Sequence, residues 1–178
     1  RVTDPQGKDL FYYWTLLPLW KDMLDTGLIT RRLFKDMLNT PPYRLHNAGD
    51  EGSRLVDAVP GSFFMLKPGL LTPQDIEGLF DSRIFLYYEE KVLGRKFQEM
   101  GLKTVLVTDE SYVHAHSATI DKSLKRMVDK QRLLHQSKLY YYREYLHAGP
   151  ALMAAAGVAL DIILAEVWFL TVVCRMRW

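Results

Sequence analysis

Residues 149 to 173, GPALMAAAGVALDIILAEVWFLTVV, constrain this chain more than any other stretch. The run is long enough to cross a bilayer, and a helix so apolar must be covered by lipid or by protein. Its charged residues are Asp161 and Glu166. An acid at mid-membrane costs about 2.5–3.5 kcal/mol on insertion scales, which opposes a plain span. Basic residues flank both ends, so no orientation is set. The preceding stretch, Asp121 to Leu146, carries Lys122, Lys125, Arg126, Lys130, Arg132, Lys138 and Arg143 against Asp121, Asp129 and Glu144. A basic helix leading into an apolar one points to an anionic membrane surface. The expectation is a helix lying in the membrane interface, with Tyr140, Tyr141, Tyr142 and Trp168 at headgroup depth. The competing reading is a helix packed on another part of the protein or on a second copy.

Composition narrows the remainder. With 178 residues, 48% of them hydrophobic, the chain can bury a core and is not disordered. A net charge of +2 is too small to imply a nucleic-acid partner. The single cysteine, Cys174, excludes an intramolecular disulfide and any cysteine-based zinc cluster, and fits a reducing compartment. The first residue is Arg1 rather than Met, so the chain is expected to begin inside a longer protein.

The order of elements reads as α/β. Residues 8 to 40 have helical periodicity broken at Pro18 and Gly27, and residues 40 to 53 carry loop composition. Residues 56 to 67 have strand composition, broken at Pro60 and Gly61. A short helix follows Thr72 as N-cap with Pro73 at its first position. IFLYY reads as a short buried strand, and a helix then runs from Glu89 to Met100, burying Leu93, Phe97 and Met100, with Gly101 as its stop. KTVLVTD is a strand, YVHAHSAT a loop, and a long helix occupies roughly 120 to 146.

This order gives the acidic pair Glu89-Glu90 a geometry. The helix travels about 18 Å at 1.5 Å per residue. The following strand returns about 20 Å at 3.3 Å per residue. Glu89 and Glu90 are therefore expected at the same end of the layer as His114 and His116. Alternation lets only one of those histidines face the acids. Taken separately, the acids read as ordinary helix-start residues favoured by the helix dipole, and the histidines as a solvated pair. Taken together they suggest a site in which a glutamate, ionised at neutral pH, removes a proton from a hydroxyl.

Three stretches carry a resemblance to a family: DAVPGSFFMLKP, FDSRIFLYYEEKVLGRKFQEMGLKTVLVTD and YVHAHSATIDKS. Across residues 57 to 123 the chain resembles the acceptor-side half of family 2 glycosyltransferases, especially bacterial enzymes that build capsular polysaccharide and exopolysaccharide. The resemblance implies the C-terminal half of a GT-A, Rossmann-like domain over residues 1–118, a basic amphipathic helix over 119–148 and an apolar, membrane-associated helix over 149–178. It gives the catalytic-base role to Glu90, with Glu89 beside it. Gly61, Ser62 and Tyr88 become acceptor-binding residues, and His114 (the better match) or His116 contacts the metal or diphosphate.

The implied reaction is inverting transfer from a nucleotide-sugar donor to a polysaccharide or lipid-linked saccharide acceptor, assisted by Mg or Mn. The family's opening nucleotide-binding strand and its Asp-x-Asp metal motif do not occur in this sequence. DPQGKD, residues 4 to 9, resembles the segment just after that motif, so the chain is expected to be a C-terminal portion, inactive by itself. The resemblance also implies a peripheral location on the cytoplasmic face of the plasma membrane. The alternative is a non-catalytic, membrane-associated interaction module on a degenerate glycosyltransferase scaffold. A glycoside hydrolase is disfavoured, because its two acids flank the substrate about 5–9 Å apart and adjacent residues tend to point apart.

Overall fold

The computed structural model describes residues 2–8, 10, 13–38, 52–84, 86–114, 124 and 126–176. In chain order the elements are β1 (Val2–Thr3), α1 (Leu19–Leu24), α2 (Leu28–Leu33), α3 (Lys35–Leu38), β2 (Ser53–Val56) and α4 (Pro73–Glu77). They continue with α5 (Glu89–Glu99), β3 (Thr104–Val107), β4 (Tyr112–Val113), α6 (Met127–Glu144) and α7 (Pro150–Trp168). The class is mixed α/β, with small strands. The chain forms two compact units. One holds Arg1–Leu16, Pro41–Phe85 and Glu89–Ser117; the other holds Leu17–Thr40, Leu86–Tyr88 and Ala118–Trp178.

In the first unit β1 pairs parallel with β4, Val2 opposite Tyr112 and Thr3 opposite Val113. β2 pairs antiparallel with β3, from Ser53 opposite Val107 to Val56 opposite Thr104. Val2, Tyr13 and Leu106 form the core, with Leu10, Val56, Val59 and Tyr112 packed against it. Residues 73–77 form α4 for the expected reason: Thr72 and Asp75 close a capping box, and Pro73 needs no amide donor in the first turn. Helix α5 also begins at Glu89, and Gly101 ends its turn with φ of 72°.

Its packing face differs from the expected one. Val92 and Gly94 are buried, whereas Met100 is exposed. A Cβ at Gly94 would collide with the carbonyl oxygen of Asp57, so the helix lies close against the chain after β2. Asp57 braces the same place: its Oδ2 accepts the Leu16 N–H at 2.8 Å and its Oδ1 accepts from Gln98 at 3.0 Å.

Several other expectations change. The described residues of IFLYY form no strand: Tyr87 and Tyr88 adopt φ of 65° and 72°, a left-handed backbone that no strand continues. Residues 56–67 contribute only the end of β2, and Gly61 to Phe63 form a turn. Helix is absent among the described residues before Leu19; Trp14 instead bridges to Ala58. Pro18 and Gly27 do act as breaks, standing at the N-caps of α1 and α2. YVHAH includes a strand, β4, rather than loop alone. The expected loop at 40–53 lies almost wholly outside the described residues, as does the expected start of the long helix at 120–123.

The second unit is helical. Helix α7 buries Ala156, Leu160, Ile163 and Val167, a spacing of three and four residues that defines one face. After Trp168 it continues through a π-helical stretch, Phe169–Val173. Residues Pro150–Val173 are long and apolar enough to cross a membrane by length and composition, a test that a soluble core helix also passes.

Inside this unit lies a buried ionic cluster. Asp22 and Lys138, 2% and 4% exposed, pair at 3.0 Å. Lys138 also donates to the Asp22 carbonyl at 2.7 Å and to the Thr26 hydroxyl. The hydroxyls of Tyr88 and Tyr142 donate to Asp22 Oδ2. Burial and the Asp22 charge push both phenols upward, keeping them neutral donors. Three expected membrane contacts are corrected: Lys138 is buried against Asp22, and Tyr141 and Tyr142 are core residues. Trp168 remains half exposed.

The acid in the apolar helix also has a task. Glu166 Oε1 accepts the Ile29 N–H at 2.7 Å, satisfying an orphan donor at the start of α2.

Candidate active site

Two consecutive tyrosines in left-handed conformation turn the chain directly into α5, whose first residues are Glu89 and Glu90. Bulky residues there cost about 1–3 kcal/mol each, the kind of strain that clusters at functional sites. Within the first unit, Glu90 Oε1 accepts the Gly61 N–H at 3.1 Å. A Cβ on Gly61 would lie 3.4 Å from that oxygen, so the backbone approaches the carboxylate closely.

Next along the chain, Ser62 Oγ and the Tyr112 hydroxyl are hydrogen-bonded at 2.6 Å. Phe63 sets its ring 5.5 Å from that of Tyr112. Tyr112 belongs to β4, and alternation puts His114 on the same side of the extended chain. The His114 N–H donates to the Thr3 carbonyl at 2.8 Å, lengthening the β1–β4 ladder. One series of bonds in the first unit therefore joins Glu90, Gly61, Ser62 and the strand that leads to His114.

Glu90 is half buried and Glu89 exposed. Burial pushes the Glu90 carboxyl up to about 7, and the Glu89 charge adds to the rise. Hydrogen bonds from its own N–H and from Gly61, and the charge of Lys91, oppose it. Desolvation raises the Glu89 carboxyl as well. The expectation that Glu90 is simply ionised at neutral pH is thus corrected, because loss of water outweighs the helix start. A carboxyl titrating near neutrality suits general-base work better than an ordinary one.

Tyr88 belongs to the second unit, where Asp22 takes its hydroxyl and the Tyr141 ring lies 5.2 Å away. It is not presented to an acceptor. His116 lies outside the described residues. Among the described residues no three His, Cys, Asp or Glu side chains converge to hold a metal ion. The described residues do not by themselves fit a Mg or Mn ion.

Two participants escape a reading of the sequence. Tyr112 holds Ser62, and its signal was available, two residues before His114 in an alternating stretch. Asp57 braces the approach to the site; nothing in its neighbourhood distinguishes it from a solvated acid.

No family model matches the chain, and neither curated proteins nor solved structures include a significant match.

Proposed function

We propose that the chain is the acceptor half of an inverting glycosyltransferase with a GT-A type of domain, and that Glu90 is its base. The observation that carries this reading is the Glu90 carboxylate itself: poised at about 7, and held by the amide of Gly61 beside Ser62. An acceptor hydroxyl in that place attacks the anomeric carbon of a nucleotide sugar. Its proton passes to Glu90 as the new C–O bond forms and the bond to the diphosphate breaks. Gly61 leaves room for the acceptor, and Ser62 with Tyr112 offers it hydroxyls. Residues that hold the donor and its metal are supplied by further chain or by another subunit.

The acceptor is a polysaccharide or a lipid-linked saccharide, and the enzyme sits peripherally on the cytoplasmic face of the plasma membrane. The outward side of α7 supports that location, for it exposes Leu152, Val158, Ile162 and Trp168.

The test is transfer by a form that includes the donor-binding half. Glu90→Gln keeps the shape and the acceptor for Gly61 but removes the proton acceptor. Its turnover is expected to fall by about 100-fold or more, with donor binding retained. Equal turnover in both proteins leaves Glu90 without the role and favours a non-catalytic module.

A further inference from the structure

Residues Asp57 to Gly61 form a strap along α5, and strap and partners alike belong to the first unit. The Asp57 carbonyl oxygen and the Ala58 methyl press on Gly94, while Gly61 lies against the Glu90 side chain, about one helical turn nearer the start of α5. The Asp57 end is tied down. Its carboxylate takes the Leu16 N–H on Oδ2 at 2.8 Å and the Gln98 side-chain amide on Oδ1 at 3.0 Å. Ala58, 2% exposed, exchanges backbone bonds with Trp14 at 2.9 and 3.2 Å. From there to Gly61 the strap is stiff, because a proline has a fixed φ and favours extended backbone in the residue before it, here Val59. Gly61 itself is exposed, and its N–H donates to Glu90 Oε1 at 3.1 Å.

We propose that Asp57 is a positioning residue for Glu90: by fixing the strap on Leu16 and Gln98, it aims the Gly61 N–H at the Glu90 carboxylate. The inference rests on the reading of Glu90 as the base, and adds a device that sets its proton affinity. Burial, then the Glu89 charge, hold the Glu90 carboxyl up; its own amide, the Gly61 amide and the charge of Lys91 hold it down. Glu89 and Lys91 stand on α5 itself, and the strap contributes the Gly61 amide. An amide that donates to a carboxylate favours the ionised form, so loosening the strap raises the midpoint. A direct effect of the Asp57 charge has the opposite sign, since removing a nearby negative charge lowers the midpoint. The two roles are therefore separable.

The experiment is a carbon-13 NMR titration of the Glu90 carboxyl in the full chain, with its signal assigned by its loss in Glu90→Gln. Asp57→Ala removes both side-chain bonds, and the Glu90 midpoint is expected to rise by about half a pH unit or more. Asp57→Asn is the rescue: its Oδ1 accepts the Leu16 N–H, and the Gln98 amide, turned over, accepts from its Nδ2. Its midpoint should stay within about 0.2 pH units of the wild type. Gln98→Ala cuts one bond at an exposed side chain, and a smaller rise is expected. If Asp57→Ala does not fold, Gln98→Ala decides: a rise supports the inference and an unchanged midpoint overturns it. An unchanged midpoint in a folded Asp57→Ala overturns it as well. So does a fall shared by Asp57→Ala and Asp57→Asn, for then the charge of Asp57 acts and not its hold on the strap. The titration needs no transfer, which keeps its failure apart from that of the catalytic reading. In a form that includes the donor-binding half, Asp57→Ala should move the acid limb of kcat/KM upward by the same amount. A carboxyl that moves in the titration while transfer is unaltered would retain the positioning and remove Glu90 as the base.

Discussion

At Glu90 the burial that raises the carboxyl should also weaken the fold near neutral pH. Its folded carboxyl titrates at about 7 against 4.5 for an ordinary glutamate. The folded state therefore holds the proton more tightly than the unfolded chain. Stability from this group is fully present below pH 4.5 and is lost as pH rises through 7. At 1.36 kcal/mol per pH unit the shift corresponds to at most about 3 kcal/mol. Glu90→Gln should stabilise the chain at about pH 8 by about 1–3 kcal/mol and change little at about pH 4.5. Chemical denaturation at both pH values measures this. Equal destabilisation at both would make Glu90 a structural residue, held for its bond to Gly61.

Helix α5 positions that carboxylate, and Gly94 is the residue that lets it lie flat on the chain at Asp57. Gly94→Ala forces a Cβ into a carbonyl oxygen, which does not move as a flexible side chain can. A loss of about 1–3 kcal/mol is expected, read as a lower urea midpoint with an unchanged slope. An unaltered midpoint would mean the contact is loose. Elements of this kind were legible where their signals are local. Thr72 and Pro73 announce α4, and Gly101 announces the end of α5. IFLYY misleads because its apolar, aromatic composition suits a strand, while tertiary structure imposes a left-handed turn at Tyr87 and Tyr88. In the site, order and spacing reached the acidic pair, the resemblance named Glu90 and Gly61, and a hydrogen bond joins those two. Tyr88, an acceptor contact by the resemblance, gives its hydroxyl to Asp22, which is distant in sequence. In the basic stretch, a charge count does not reveal that Lys138 neutralises a carboxylate far away in sequence.

At the scale of the whole molecule the two units answer pH in opposite ways. His135 lies in the second unit, and burial, with the charge of Lys138, pushes its imidazole down to about 4, while Asp161 opposes the fall. The unfolded chain then binds the proton more tightly, so stability from His135 is present above 6.5 and is lost as pH falls toward 4. Acidification should loosen α6 and α7 while Glu90 favours the first unit. Hydrogen exchange, corrected for intrinsic rates, is expected to show protection of α6 falling between about pH 6.5 and about pH 4.5 in the wild type and much less in His135→Gln. Equal loss in both would remove His135 from the explanation. The proposed role of this molecule is to supply the base for sugar transfer. The most direct measurement is kcat/KM for transfer between about pH 5.5 and about pH 8.5, in a form that includes the donor-binding half, with Glu90→Gln as the comparison. The prediction is an acid limb that rises through a midpoint of about 7 in the wild type, and negligible transfer throughout in Glu90→Gln. A flat wild-type profile, with Glu90→Gln equally active, would contradict the account.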